Sequence, residues 1–488
     1  MAKITAVIDI GSNSARMVIY EKTSRFAFHL LHEVKSRVRL PENAYKNGGN
    51  LQEEAMQRTY DALENFLSIA SSFKARKILC VATSALRDAP NKKEFISRVR
   101  SGLKLNIKVI DGEKEALYGA LACCNLLPQA EALTIDIGGG STEFSYILNG
   151  KVENTLSLAL GTVRLKELFF DKKDIEGAKK YINEELDKLS DISISNLIGI
   201  GGTFRALSRA IMKDIRYPLN KLHAFECSSK TMSNFIDKIL NANERRLKHL
   251  NIRPDRYDVI KPGSLIISEL LKRKNDIDNL ITSGVGVREG VYLSDLLRGQ
   301  KDSTFPANFN PSVRYLLDSY IFDKNHSNQL AKLSKHIFDL ICESYDIDEK
   351  YKKSLVIGAK LSPIGASLHN YSSNQHSYYL IQTALEYGFT HQEIILIATL
   401  TRYAKRKAPA TAHITEYKNI LPDEKIAELL SFIISLSSAL LTHRPRNLDY
   451  NIGFNENSLQ IASKDNLYLV KDAVKNLEFP QGIRVEFV

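Results

Sequence analysis

The chain has 488 residues, 44% of them hydrophobic and 25% charged, with 25 Gly and 13 Pro, which excludes a disordered or collagenous protein. Its net charge of +11 is uneven: residues 1–300 carry 46 basic and 36 acidic side chains, whereas 301–488 carry 21 and 20. A basic excess confined to one region suggests a polyanionic partner or serves only solubility, and the near-neutral remainder argues against a diffuse nucleic-acid coat.

The opening residues, MAKITAVIDIGS, lack the basic start and long apolar stretch of a secretory leader. The apolar runs near 393–400 and 431–441 are too short or too Ser-rich for a membrane span of about 20 residues. Five cysteines without CxxC spacing, Cys123 and Cys124 adjacent, read as reduced thiols of a cytoplasmic protein.

In chain order, Ile4–Ile10 is apolar and β-branched, Gly11–Ser14 is a turn, and Ala15–Tyr20 returns as a second strand. Residues 51–73 have helical spacing, Lys77–Ala82 reads as a buried strand, and 92–102 as a helix. Ile107–Ile110 is a further strand, and Glu113–Leu127 a helix closed by Pro128. The pattern then restarts: strand Ala132–Ile137, glycine turn Gly138–Ser141, strand Thr142–Leu148, and an Asn149-Gly150 hairpin turn. The turns Asp9-Ile10-Gly11-Ser12-Asn13-Ser14 and Asp136-Ile137-Gly138-Gly139-Gly140-Ser141 share the form Asp–Ile–Gly–x–x–Ser, repeated after 127 residues. Such a repeat predicts duplicated lobes, each presenting one hairpin. A third turn, Gly199-Ile200-Gly201-Gly202-Thr203-Phe204-Arg205, follows an apolar strand and opens a helix. Ser303–Ser312 is Pro- and Asn-rich and reads as a linker, 313–441 is helical, and short β-like runs return from about 455.

Each hairpin turn offers what a phosphate needs. Glycines let backbone N–H groups converge on an anion, and Ser12, Ser14, Ser141 and Thr142 add hydroxyl donors. The Asp that opens each turn sits at a strand end, where a carboxylate can hold Mg²⁺ directly or through water. The Gly201–Gly202 turn and Arg205 can meet a further anion, or form a strand-to-helix turn with no ligand.

The two Asp–Gly hairpins and the Gly-Gly turn resemble the superfamily of actin, Hsp70 and sugar kinases. Within it, the sequence resembles the exopolyphosphatase/guanosine pentaphosphate phosphohydrolase (Ppx/GppA) family. The segments that carry this are AVIDIGSNSARMVIY, VATSALRDAPN, IDGEKEALYGA, LTIDIGGGSTEFS, LGTVRLKE, GIGGTFRALSRA and GVGVREG, in that order from residue 6 to residue 290. The resemblance implies an α/β fold of two ribonuclease-H-like (actin-like ATPase) lobes at 1–125 and 126–302. An all-α HD-like domain at 313–450 and a small C-terminal α/β segment at 455–488 would follow.

It also implies roles. Glu115, in DGEKEA, matches the catalytic Glu; Asp111 stands for the family's Ser and Lys114 for the first Glu of its pair, so the final Glu-Ala sets the register and Glu115 is preferred to Glu113. Glu143 is its catalytic partner, and Asp9 and Asp136 match carboxylates associated with Mg²⁺. Gly11, Ser12, Asn13, Ser14, Gly138, Gly139, Gly140, Ser141, Thr142, Gly201, Gly202, Thr203 and Arg205 would surround phosphate, with Arg87 on the substrate. Arg288 is a phosphate contact or an ion pair with Glu289. Lys35, Arg37, Arg39, Arg164, Lys166, Arg205 and Arg209 are candidates for a basic track under a longer chain.

In the helical domain, Asp323–His326 and His376-Ser377 resemble HD-type metal motifs. The segment expected to hold the His-Asp pair reads Lys360-Leu361-Ser362-Pro363-Ile364-Gly365, so no second catalytic metal site is expected, and His369 falls too late to replace it. The expected function is Mg²⁺-dependent release of phosphate from inorganic polyphosphate, from pppGpp to give ppGpp, or from both, by a cytoplasmic homodimer. The competing readings are an ATP-binding kinase or ATPase of the same superfamily, and a non-catalytic (p)ppGpp sensor. No basic, aromatic-interleaved ribbon suggests nucleic acid.

Overall fold

A computed structural model describes residues 3–44, 47–405 and 407–488. The chain divides into two compact units, residues 1–309 and 310–488. The first holds two sheets. In one, strands β1 (Lys3–Ile10), β2 (Ala15–Lys22), β3 (Phe28–Ser36), β4 (Lys77–Ala82) and β5 (Lys108–Val109) lie in the order β3-β2-β1-β4-β5. In the other, β6 (Ala132–Ile137), β7 (Thr142–Leu148), β8 (Lys151–Leu158), β9 (Asn196–Ile200), β10 (Phe225–Ser228) and β11 (Asn279–Thr282) lie in the order β10-β11-β9-β6-β7-β8.

The near-continuous apolar runs explain the central places of β1 and β6. Ala6, Val7, Ile8 and Ile10 are each fully buried, as expected of a strand covered on both faces. Each central strand pairs antiparallel with its hairpin partner and parallel with a later strand, β1 with β4 and β6 with β9. The repeat seen in the sequence is a repeat of register. Asp9 lies opposite Arg16, and Asp136 lies opposite Glu143. Gly11 N–H donates to the Ser14 carbonyl at 3.2 Å, and Gly138 N–H to the Ser141 carbonyl at 2.9 Å. The first sheet packs around Met17, Phe66 and Phe95, the second around Phe144 and Phe204.

The helix Gly112–Leu126 packs on β7 and β8, and also on the helix Val287–Leu296, which in turn packs on β1. The catalytic candidates of the two sheets are therefore tied together by helices, not by strand pairing.

The stretch read as a linker is more ordered than its composition suggests. Phe305 N–H donates to Asn125 Oδ1 at 3.0 Å, and the Phe309 ring meets Phe26 edge-on at 5.7 Å, so aromatic anchors hold it to the first unit. Helix begins at Pro311 rather than 313, with Asn310 Oδ1 accepting from Val313 N–H. Proline in the first helical turn costs no hydrogen bond, so its presence marks a helix start here. The second unit is a set of helices packed around Leu316, Ile381, Phe389 and Ile397. It ends in a three-stranded sheet of β12 (Tyr450–Asn455), β13 (Ser458–Ser463) and β14 (Arg484–Phe487).

Candidate active site

The two glycine turns face each other at close range. A Cβ built on Gly139 would lie 3.6 Å from the Ser12 Cβ, so the second turn approaches the first to van der Waals contact. Ser12 Oγ is 3.0 Å from Ser84 Oγ, which connects the first turn to the Thr-Ser-Ala-Leu-Arg segment. The second turn is braced from behind: Thr162 and Val163 N–H donate to the Gly138 and Gly139 carbonyls, and Arg164 Nε to the Gly140 carbonyl at 2.9 Å. Thr142 Oγ1 donates away from the turn, to the Leu160 carbonyl at 2.7 Å.

Four carboxylates converge from both lobes. Glu115 sits in the first turn of the Gly112–Leu126 helix, which Asp111 caps by accepting from Lys114 N–H at 2.7 Å. An Asp caps as well as the Ser expected there, so the exchange leaves the helix start intact. Glu113 is exposed on this turn, whereas Glu115 is turned inward with its Oε2 3.1 Å from Arg87 Nη1. Burial pushes the Glu115 carboxyl well up, the negative charge of Glu143 adds to this, and Arg87 opposes it. Glu143 is only 3% exposed, and burial raises it to about 7 against the pull of hydrogen bonds from Ser141 and Ser157. Asp136 is raised by burial to about 6, and Asp9 is raised for the same reason.

Arg87 beside Glu115 and Glu143, and Arg16, Arg205 and Arg288 beside the two aspartates, offset burial only in part, so the cluster stays one that disfavours four simultaneous negative charges. Among the described residues no three His, Cys, Asp or Glu side chains are grouped to hold a metal unaided. Asp9 and Asp136 would offer carboxylate oxygens, the donor type Mg²⁺ takes while completing its shell with water and phosphate oxygens.

Gly201 has a φ of +85°, and a Cβ there would lie 2.4 Å from Asp136 Oδ1. Only glycine lets the start of the Gly201–Asp214 helix close over that carboxylate. Thr203 is buried beneath this turn, against Gly263. Arg205 points inward: its Nε donates to the Gly201 carbonyl at 3.0 Å and its Nη1 to the Gly284 carbonyl at 3.1 Å. Burial lowers it to about 10, and it acts as a brace of the turn beside Asp136.

Arg288 feels the Glu289 charge, but its guanidinium hydrogen-bonds elsewhere. Its Nη1 donates to Glu33 Oε1 at 2.7 Å, while Glu289 accepts from Gly286 N–H and from the Tyr20 hydroxyl. Of the track candidates, Arg37 faces Asp255 at 3.8 Å, Arg39 faces Glu42, and Lys166 is held by Asp171. Arg209 is exposed on its helix.

Two basic residues that motif reading passed over join this region. The Arg16 guanidinium is 3.8 Å from Glu33 and feels the charges of Arg288 and Arg256. Arg256 lies against Gly202, where a Cβ would fall 2.6 Å from its guanidinium nitrogens. Burial, and then the like charges of Arg16 and Arg256, hold the Lys35 ammonium below its usual value. Arg16 was legible as the register equivalent of Glu143; Arg256 sits in a Pro-led turn with no motif.

In the second unit, the expected motif positions are tied by hydroxyls. Ser327 Oγ donates to the Lys360 carbonyl at 2.6 Å and Ser377 Oγ to the Ser362 carbonyl at 2.7 Å. Burial, then Arg444, lowers His326 to about 4, and His369 is exposed beside the Tyr371 ring. No described helix is long and apolar enough to cross a membrane.

Comparison with known proteins agrees with this geometry. Residues 18–299 match the Ppx/GppA phosphatase family, and residues 310–480 match domain III of that phosphatase. The bifunctional 3-dehydroquinate synthase/phosphatase of Fusobacterium nucleatum is 33% identical over 289 residues, 55% of this chain and 43% of that protein. The chain thus spans less than half the length of that curated relative. The solved Ppx/GppA family member of Aquifex aeolicus is 30% identical with a TM-score of 0.55, covering 62% of this chain and 100% of that one. An exopolyphosphatase from Cytophaga hutchinsonii is 25% identical with a TM-score of 0.56, covering 62% and 99%. With both of its units matched and its cleft built from the repeated hairpins of the actin-like fold, this chain belongs to the Ppx/GppA phosphatase family.

Proposed function

We propose that the protein hydrolyses the terminal phosphoanhydride of inorganic polyphosphate, or of the 5′-triphosphate of pppGpp, releasing orthophosphate. The observation that carries this reading is the meeting of Glu115, from the first turn of the Gly112–Leu126 helix, and Glu143, from the strand that follows the second glycine turn, where burial holds both carboxyls up. A general base works best with a pKa near the operating pH. The terminal phosphoryl group lies between the turns, where N–H groups and the Ser12 and Ser141 hydroxyls neutralise its oxygens. Positioning and charge neutralisation are the main tasks when the transition state is loose. Glu115 takes the proton of the attacking water while Arg87 fixes its carboxylate, and Glu143 disfavours a second negative charge beside it. Asp9 and Asp136 are the residues that would hold Mg²⁺, which when bound supplies charge neutralisation to the phosphoryl oxygens. Arg16, Lys35 and Arg256 form the wall that suits the remaining phosphates of a chain.

The test is phosphate release from long-chain polyphosphate and from pppGpp with no acceptor present. We expect at least one of the two to be cleaved to completion, one orthophosphate per anhydride. ATP turnover that requires an acceptor, with neither of these substrates cleaved, would instead identify a kinase.

Ser157 offers a finer test of the same site. Its Oγ donates to Glu143 Oε1 at 2.9 Å, and a Cβ on Gly112 would lie 2.5 Å from that Oγ. Ser157 thus holds one catalytic carboxylate while resting on the helix turn that carries the other. Its hydroxyl favours the charged form of Glu143, so Ser157→Ala should raise that carboxyl further. A hydrogen bond to a charged group is worth about 1.5–3 kcal/mol, so the titration of Glu143 should move up by roughly one unit, and because a neutral Glu143 no longer repels the Glu115 carboxylate, the acidic limb of the pH–rate profile, set by the base Glu115, should move down. An unmoved limb with an unchanged rate would show that Ser157 only packs.

A further inference from the structure

A side chain of opposite charge stands against the basic wall of the site. In register, Asp9 lies opposite Arg16 and Arg16 opposite Lys35, so one row crosses three strands from the first glycine turn to the edge of the sheet. Glu33 precedes Lys35 by two residues on β3, and alternation along a strand puts both on one face. Its Oε1 accepts from Arg288 Nη1 at 2.7 Å and lies 3.8 Å from Arg16 Nη1. One carboxylate oxygen thus sits between two guanidinium groups, which are equally suited to a phosphate oxygen. Burial works against the Glu33 charge, but Arg288, Arg16 and Arg205 outweigh it and hold the carboxyl below its usual value.

The two sides of this contact differ in freedom. The Arg288 side chain is 9% exposed, and it stands in a first helical turn fixed by Glu289 accepting from Gly286 N–H. A buried guanidinium held in this way needs an anion where it stands. The Glu33 side chain is 46% exposed on an edge strand, so it can turn into water at little cost. Arg16 and Arg288 also act on the charges of both Asp9 and Asp136, so they stand close to the two glycine turns. A phosphate chain arriving there meets a carboxylate that can leave and a buried cation that cannot.

We propose that Glu33 is an exchangeable internal anion: it holds Arg288 and Arg16 in the free protein, gives them up to a phosphate of the substrate chain, and so sets the affinity for phosphate chains. The exchange is between hydrogen-bond acceptors, and no covalent bond changes. It rests on the reading of the glycine turns as the phosphoryl site.

The test is calorimetric titration with inorganic tripolyphosphate in the Glu115→Gln background, where turnover of the ligand is slow. Adding Glu33→Gln should tighten binding about fivefold, because the amide still accepts from Arg288 but only as a neutral group. Glu33→Ala, which leaves no acceptor, should tighten it further; Glu33→Gln decides alone if the alanine variant does not fold. Glu42→Gln removes a carboxylate that pairs with Arg39 and Arg58 instead, and should change the affinity by less than about twofold. With Glu115 in place, Glu33→Gln should lower KM for phosphate release and keep kcat within about twofold. Loss of a pair that only braces the fold would leave the affinity equal or weaker. Equal or weaker binding in Glu33→Gln, or the same tightening in Glu42→Gln, would overturn the exchange and leave the hydrolase reading intact. No binding of tripolyphosphate by Glu115→Gln alone would overturn both.

Discussion

Replacing Glu115 by Gln should lower the rate of phosphate release by about 10²–10⁴-fold, the usual contribution of a positioned acid–base group, without weakening the fold. The amide is isosteric, and its carbonyl oxygen can still accept from Arg87 Nη1, which the carboxylate now meets at 3.1 Å. Arg87 also donates to the Ile110 carbonyl at 3.3 Å, so it is not left without support. The charge that disappears is one that burial and the neighbouring Glu143, Asp9 and Asp136 all oppose. Thermal unfolding of Glu115→Gln should therefore occur at the wild-type temperature or above it. Loss of turnover with no loss of stability separates a catalytic carboxylate from a structural one. Glu113→Gln is the matched control: Glu113 is exposed on the same helix turn, and turnover should stay within about twofold of wild type. Wild-type turnover in Glu115→Gln would remove Glu115 from the mechanism.

The division of labour between sequence and structure is itself physical. The hairpins were legible because an apolar strand ending in Asp–Ile–Gly has few alternatives, and because it occurs twice. β3 was not legible, since Phe28–Ser36 interleaves His29, His32, Glu33 and Lys35 with its apolar residues, as an edge strand does. Among the candidate site residues, Glu115 and Glu143 were named from motif register, and so were the glycines. What motif register could not supply was side-chain direction. Arg205 and Arg164 stand in motifs beside the turns, yet both spend their nitrogens on backbone carbonyls that shape those turns. Arg288 stands next to Glu289 but reaches Glu33 on a different element. Arg256 reaches the Gly202 turn from more than fifty residues away, a proximity that only the packed lobe creates.

The same limit is sharpest for glycine, and it sets the second large effect. Gly290 and Gly299 look alike in the sequence. A Cβ on Gly290, however, would lie 1.8 Å from the Tyr118 carbonyl oxygen and 2.5 Å from its carbon, whereas one on Gly299 would meet nothing within 4 Å. At Gly290 the obstacle is backbone of the Gly112–Leu126 helix, so no side chain can swing away and the two helices must part. Overpacking of this kind typically costs 1–3 kcal/mol and at times more, so Gly290→Ala should lower the melting temperature of the first unit by several degrees. The displaced helix carries Glu115, and its partner carries Arg288 and Glu289, so turnover should fall as well. Misplacement of a reacting group by about 1 Å can cost on the order of 100-fold. Gly299→Ala should leave both melting temperature and rate unchanged. Equal melting temperatures for Gly290→Ala and wild type would mean that the helices do not pack at this distance, and the positioning of Glu115 by that contact would be lost with it.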